Sequence, residues 1–331
     1  KKVLLNHEPK LFIFYWISYF IDFKTIKQLK EAYPNVPIIF NCLDESLITG
    51  GCHYSNGCIE FYDSCSNCPG TKVPLLQQLV ERNFSNRQLL VKDIDPIIVY
   101  PSTNLSSMGA ASSLLKELKS KVIPLGAVSQ FEQKLILSQS KYKNKFKSVK
   151  NDKVTLLVRS SSDSRKGCSL FISSIKILHR SYPDLCQRIK VISIGDSTLS
   201  RSEINNLIDL EDHGYVERES LLHLYSIADA LIVTSLEDSG PLMVNECIAL
   251  GTFVISTPVG ISNDLITESN GIVMKGISDL DIVKSIVMLF GYHENKDFLD
   301  LRENYKNPIS ESLTFEGYIN ELLDSLELKF K

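Results

Sequence analysis

The sequence predicts an α/β protein built of two doubly wound parallel sheets, and three observations carry that prediction. Strand-like and helix-like segments alternate along nearly all 331 residues, the rhythm of parallel sheets with helical crossovers. A lysine-rich stretch around residues 130–152 separates two such runs. The length exceeds what one typical hydrophobic core organises and suits two domains.

Each element has its own signal. KLFIFYWI, residues 10–17, is short, aromatic and β-branched and reads as a buried strand. A helix is expected near Asp22–Tyr33, then a strand at PIIFNCL, 37–43. After a cysteine-rich loop, LLQQLVERNF (75–84) is helical and DPIIVYPS (95–102) is a strand. A helix over 105–119 and a strand at KVIPLGA (121–127) close the first half.

KVTLLVRS opens the second half at 153–160, followed by a helix at 167–180 and the strand RIKVISIG (188–195). Next come a helix at 218–230, a strand at 230–235, a helix at 241–250 and a strand at 252–257. Residues 1–150 and 151–306 are therefore read as two domains with facing sheets and a cleft between them. The helical tail within 307–331 is expected to pack back across the domain boundary.

Composition excludes several classes. With 44% apolar and 23% charged residues the chain is not broadly disordered. Thirty-six basic against 39 acidic side chains leave a net charge of -3, so no nucleic-acid partner is expected. KYKNKFKSVKNDK (141–153) carries six lysines and reads either as a solvated linker or as a patch facing anionic lipid headgroups. No apolar run reaches the roughly eighteen residues of a membrane span. The opening lysines and apolar residues are interrupted at Asn6–Lys10 and lack a cleavage site, so no export signal is read. Eight cysteines without such a signal point to the reducing cytoplasm, with peripheral contact at the inner membrane face as the one departure.

The richest stretch is SLEDSGPLMVNECIALGTFVIST, 235–257. It leaves a strand and enters a helix, so amides near Gly240, Leu242 and Met243 should be free to bind an anion. Gly240 would let a phosphate approach the backbone. Glu246, eight positions after Asp238, suits a ribose diol, while Asp238 or Glu237 would reach hydroxyls of the group beyond the phosphate. Upstream, VRSSSDSRKG (158–167) sets Arg159, Arg165 and Lys166 beside a glycine, where fixed cations could neutralise a diphosphate.

Taken in order, LLVRSSSDSRKG, GYVERESLLHLYSIADALIVTS, D-x7-E and ALGTFVISTPVG resemble the donor-binding domain of glycosyltransferase family 4, retaining enzymes of the GT-B fold with two Rossmann-like domains. The first half resembles a bacterial surface-polysaccharide subset that carries a TGGCHYS…C…CxxCP segment. The resemblance, over roughly 10–275, implies that Arg165 and Lys166 hold the donor diphosphate, with Arg159 near that loop. It implies that Glu246 binds ribose, that Asp238 stands at the family's first acid beside Glu237, and that backbone around Val216 borders the base. Asp44, Thr49, Gly50, Gly51 and His53 would lie on the acceptor and sugar side.

Two departures stand out: Leu43 occupies the place of a histidine that many relatives carry, and the family's glycine-rich first loop is not visible. The N-terminal domain is accordingly expected to be incomplete. The donor would be UDP- or GDP-linked, the acceptor a glycan or lipid-linked glycan. No Asp-x-Asp metal motif is read in the sequence, so catalysis is expected to survive a chelator. A non-catalytic scaffold subunit, a nucleotide-sugar epimerase and a thiol redox module are the competing readings.

TGGCHYSNGCIEFYDSCSNC, 49–68, places Cys52, Cys58, Cys65 and Cys68 in a C-x5-C-x6-C-x2-C pattern. Structural zinc, packed reduced thiols and disulfides all remain open. In the first case the thiols would clamp the loop that carries Asp44 and Thr49–Gly51.

Overall fold

The computed structural model describes residues 8–138, 153–199, 204–294 and 311–325. The chain divides into two compact units, Lys1–Ile123 and Pro124–Lys331. The boundary expected at 150 and most of the lysine-rich stretch lie outside the described residues.

The first unit is a parallel sheet of four strands, β1 (Phe12–Phe14), β2 (Ile38–Asn41), β3 (Ile97–Tyr100) and β4 (Ser120–Val122), in that spatial order. Helix α1 (Phe23–Ala32) links β1 to β2, α2 (Pro74–Ile94) precedes β3, and α3 (Thr103–Ala111) leads towards β4. Caps fix their ends. Asp22 accepts from Thr25 N at the start of α1, Pro74 opens α2 and Ser102 caps α3. Ile38, Phe40, Ile98 and Tyr100 enter one core with Ile26, Phe84 and Val91 from the helices.

The first strand is shorter than its aromatic run suggested. As an edge strand β1 is only half-buried, and Tyr15 and Trp16 leave it exposed. The chain then turns at Tyr19, whose φ is 62°. A bulky side chain in that left-handed region costs about 1–2 kcal/mol.

The second unit begins with α4 (Gln130–Ser138) and a six-stranded parallel sheet. Its strands are β5 (Val154–Ser160), β6 (Ile189–Gly195), β7 (Asp209–Gly214), β8 (Ala230–Val233), β9 (Phe253–Ser256) and β10 (Gly271–Val273). Its longer helices are α5 (Cys168–Ser181), α6 (Arg218–Ile227), α7 (Leu242–Ala249), α8 (Asp279–Glu294) and α9 (Phe315–Ser325), with short ones at Pro183–Gln187 and Ser262–Leu265. The spatial order is β10-β9-β8-β5-β6-β7. Succession runs outward from β5 to β7, then restarts on the other side at β8. The β5–β8 junction is therefore the switch point, where such sheets leave a crevice beyond the strand ends.

Period-two burial explains why helices cover both faces. Val154, Leu156, Val158, Ala230 and Ile232 enter one core, while Leu157, Leu231 and Val233 enter the other. Each fully buried Leu or Val contributes about 1.5–3 kcal/mol relative to exposure. The polar edge strand β7, DLEDHG, has no such signature; charged side chains suit an edge that must not pair further.

Residues 124–138 are stitched onto the second unit. Ala127 N donates to Leu313 O and Phe315 N to Val128 O, Asn245 Nδ2 donates to Leu125 O, and Gln133 Nε2 to Ala249 O. The final helix α9 thus joins a segment that the sequence assigned to the first domain and that folds with the second. No helix among the described residues is long and apolar enough to cross a membrane.

Candidate active site

Two loops meet at the switch point. After β5 the chain makes a short turn, Ser164–Lys166, capped by Asp163, and enters α5 through Gly167. Gly167 has φ 69°, and a Cβ there would sit 1.9 Å from Thr234 O. Only glycine lets this turn press against the end of β8. Thr234 Oγ1 donates to Lys166 O at 3.0 Å and Leu236 N to Arg165 O at 2.7 Å, so backbone fixes the turn.

That docking brings two expected residues together. Lys166 Nζ lies 2.6 Å from Asp238 Oδ2, with little of either side chain exposed. Asp238, rather than Glu237, is the acid that faces the cation. Arg159, Lys166, Asp238, Gly240, Leu242 and Met243 all line one cavity of about 200 Å3. Asp238 Oδ1 also accepts from Gly240 N at 3.2 Å, so that amide is engaged rather than free as expected. The amides of Leu242 and Met243 open α7 and have no earlier helical carbonyl to bond. They and Lys166 supply positive potential to the cavity.

Arg165 turns to Asp163, its Nη2 2.5 Å from Oδ2, and does not line that cavity. Val216 sits between β7 and α6, partly buried against the core. Glu246 is also placed apart from the cavity wall. Its Oε2 accepts from Tyr225 Oη at 2.6 Å, and its Oε1 pairs with Arg218 Nη1. Burial pushes the Glu246 carboxyl above the usual range, against the pull of Tyr225 and Arg218. Arg218 also reaches Glu132 and Ala127 O. Sequence reasoning missed Arg218, Tyr225 and Glu132. A cation at the first position of a helix opposes the dipole, which is the signal that Arg218 serves a specific acid.

The sequence does contain two Asp-x-Asp triplets, Asp93–Asp95 and Asp279–Asp281. Asp93 pairs with Lys27, and Asp95 ends α2 in the left-handed conformation. Asp279 and Asp281 accept from Ser173 and Ser278.

The first unit has its own constellation beyond β2. Asp44 caps a short turn by accepting from Ser46 N, and its Oδ2 lies 2.6 Å from His53 Nδ1. Glu45 N donates to His53 O, and Ser55 N to the buried Glu45 carboxylate. Thr49 Oγ1 donates to Cys52 O and accepts from Gly51 N, whose residue has φ 142°. Helix α2 holds the loop. Asn83 Nδ2 donates to Gly50 O, and Arg87 Nη1 to Ser46 O and Thr49 O. These hydrogen bonds brace the loop, and the Cys65 thiol is hydrogen-bonded to the Gly50 backbone as well.

Cys65 lies within electrostatic reach of Cys52, Cys58 and Cys68. None of the four is in a disulfide, Cys52 is exposed and Cys65 buried, and no three His, Cys, Asp or Glu side chains among the described residues group as metal ligands. Burial pushes the Cys65 thiol up to about 11, the reverse of an activated thiolate, and Cys65 opens no helix.

Comparison with known proteins places the second unit. Residues 138–298, just under half of the chain, match the family described as Glycosyl transferases group 1. The match falls within the second unit. Among solved structures, sucrose-phosphate synthase from Thermosynechococcus elongatus superposes with a TM-score of 0.64 at 14% identity, over 98% of this chain and 76% of that one. The Anabaena protein HepE, solved with UDP and glucose, gives 0.60 at 14% identity over 98% and 80%. A UDP-forming trehalose-phosphate synthase from Burkholderia xenovorans, with glucose-6-phosphate, gives 0.63 at 9% identity over 98% and 75%. No curated protein matches by sequence. The fold is GT-B-like, and the group 1 glycosyltransferase match supports a sugar-transferring enzyme.

Proposed function

We propose that the chain is a retaining glycosyltransferase that moves a sugar from a nucleotide sugar to a glycan or lipid-linked glycan in polysaccharide biosynthesis. The observation that carries this reading is the Lys166–Asp238 pair in a cavity opened by the start of α7, at the switch point of the second sheet. A donor diphosphate there meets the Lys166 ammonium and the Leu242 and Met243 amides, with Arg159 at the wall. Asp238 accepts from hydroxyls of the transferred sugar. Arg165 adds positive charge from the same turn, and Glu246, held by Arg218 and Tyr225, is the acid for the ribose.

No side chain lining the cavity is a carboxylate free of a cation, so we favour same-face substitution over a covalent intermediate. The acceptor hydroxyl attacks the anomeric carbon, the bond to the phosphate oxygen breaks, and the hydroxyl proton passes to that oxygen. Lys166 and the helix start stabilise the charge that develops on the leaving diphosphate. UDP is the favoured donor nucleotide because HepE was solved with UDP; GDP is the alternative. The working location is the cytoplasm.

Thermal-shift titration with UDP, GDP and ADP tests the donor site, with stabilisation by UDP expected. Stabilisation by none of the three sinks the reading. An inverted anomeric configuration in the product, read by NMR, overturns the mechanism while leaving the transferase.

A further inference from the structure

The cysteine loop is not used by the donor chemistry, and core packing does not account for it. Thiols that serve a core sit inside it, as Cys42, Cys186 and Cys247 do. In the loop only Cys65 is buried, while Cys52 is exposed and Cys58 and Cys68 are partly so. Yet Cys65 is within electrostatic reach of all three others, and Cys52 within reach of Cys58 and Cys68. Separate turns have brought four sulfurs into one neighbourhood.

Cys65 is the fixed member of the group. Its N donates to Glu60 O at 2.9 Å, its φ is 56°, and its sulfur is hydrogen-bonded to the Gly50 backbone. A backbone hydrogen bond to sulfur favours the thiolate form. The other three stand beside glycines: Gly51 precedes Cys52, Gly57 precedes Cys58, and Gly70 follows Cys68 and Pro69. Gly51 and Gly57 have φ of 142° and 77°, and a side chain at Gly57 would meet nothing within 4 Å. Among the described residues no three sulfurs converge at ligand distance, but turns hinged on glycine let them close on Cys65.

A charge without a counter-charge supplies the independent observation. Arg87 reaches this loop from α2, partly buried, with Nη1 donating to Ser46 O and Thr49 O. Its guanidinium lies 5.5 Å over the Phe23 ring, which carries no net charge. No carboxylate pairs with it among the described residues; the ionisable groups it feels are Cys65 and Cys52. As thiols, or in disulfides, those sulfurs are neutral and leave Arg87 uncompensated. Four thiolates on a divalent zinc ion carry two net negative charges and supply what is missing.

We propose that Cys52, Cys58, Cys65 and Cys68 form a structural zinc site with Arg87 as its counter-cation. Cys65 and Cys68, two residues apart, are the chelating pair, and Cys52 and Cys58 complete the tetrahedron. Binding forms four zinc–sulfur bonds and releases the four thiol protons to solvent, with no change of oxidation state. Thiolate ligands select zinc over magnesium or calcium. A closed site of this kind locks the loop and takes no part in sugar transfer, so it stands apart from the transferase reading.

The test uses the intact chain, purified under reducing conditions without added metal. Elemental analysis should find about one zinc per chain. Cobalt titrated into chelator-stripped protein should give the sulfur-to-metal charge-transfer and ligand-field bands of a tetrahedral thiolate centre, which added zinc bleaches. Cys52→Ser, Cys58→Ser, Cys65→Ser and Cys68→Ser should each abolish that spectrum, whereas Cys168→Ser, outside the cluster, should keep it. Arg87→Gln keeps an amide donor but removes the charge, and should weaken zinc retention against a chelator by roughly 10–100-fold. UDP stabilisation of the same preparations reads the donor site separately.

Fresh reduced protein without zinc, and without a thiolate spectrum on adding cobalt, overturns the site whether or not UDP stabilises the chain. Iron with acid-labile sulfide in place of zinc also overturns it, as does a cobalt spectrum that survives the four loop substitutions. Undiminished zinc retention in Arg87→Gln overturns the counter-cation role.

Discussion

The two polar constellations of this chain are built in opposite ways. In the second unit Lys166 and Asp238 pair out of solvent, and the buried Glu246 is held by Tyr225 and a partly exposed Arg218. In the first unit the His53–Asp44 pair is more open and is ringed by exposed aromatics. Buried charges survive only with partners, so the charged groups of the second unit are fixed by their pairing. In the first unit local backbone strain at Tyr19 holds an aromatic ring in solvent.

The largest expected effect breaks that contrast from the donor side. Lys166→Ala should lower the transfer rate by about a hundredfold or more at saturating UDP-sugar, because one charge-stabilising contact is worth roughly 3–4 kcal/mol in the barrier. Near-full activity would remove Lys166 from the chemistry. Next in size is Arg218→Ala, which leaves Glu246 buried with Tyr225 alone. Full loss of a buried partner costs about 3–5 kcal/mol. Arg218 is 40% exposed, so a destabilisation of about 1–3 kcal/mol is expected in urea unfolding.

A smaller effect has a pH signature. Burial acts to raise the Glu132 carboxyl, but Arg218 and Ser129 prevail and hold it below its ordinary value. A group depressed in the folded state adds stability above its unfolded pKa, which is lost as pH falls through the folded one. Stability should therefore fall with acidification below about pH 4.5, and Glu132→Gln should flatten that part of the profile. At the acceptor side, Tyr19→Gly should leave stability unchanged or raise it by up to about 1 kcal/mol, read from the urea midpoint. A marked loss would mean the ring is packed, not presented. Finally, in metal-free protein Cys65 should resist alkylation at pH 8 and gain reactivity only towards pH 11.

Much of the second unit was legible in the sequence because its strands are buried on both faces. KVTLLVRS, RIKVISIG and ALIVTS are near-continuous apolar runs, and each became a strand. Punctuation helped too: Gly167 and Gly240 marked the turns that carry the site. The polar edge strand β7 and the half-solvated continuation of β1 were not legible, since neither buries enough apolar surface to impose a pattern. Glu246 was found by spacing, but Arg218, Tyr225 and Glu132 were not, as they come from other elements and meet only in the fold.

By itself, then, the sequence determined the β-α rhythm, the switch from one run to the next, and the chemical types along the cationic and acidic loops. Those depend on local periodicity and residue identity. Tertiary structure alone decided that Asp238 rather than Glu237 meets Lys166, and that α2 reaches the Thr49–Gly51 loop through Asn83 and Arg87. It also decided that Trp16, read as strand core, stands in solvent beside His53. Which neighbours meet is set by strand order, helix docking and edge position, and none of these is a local property of the chain.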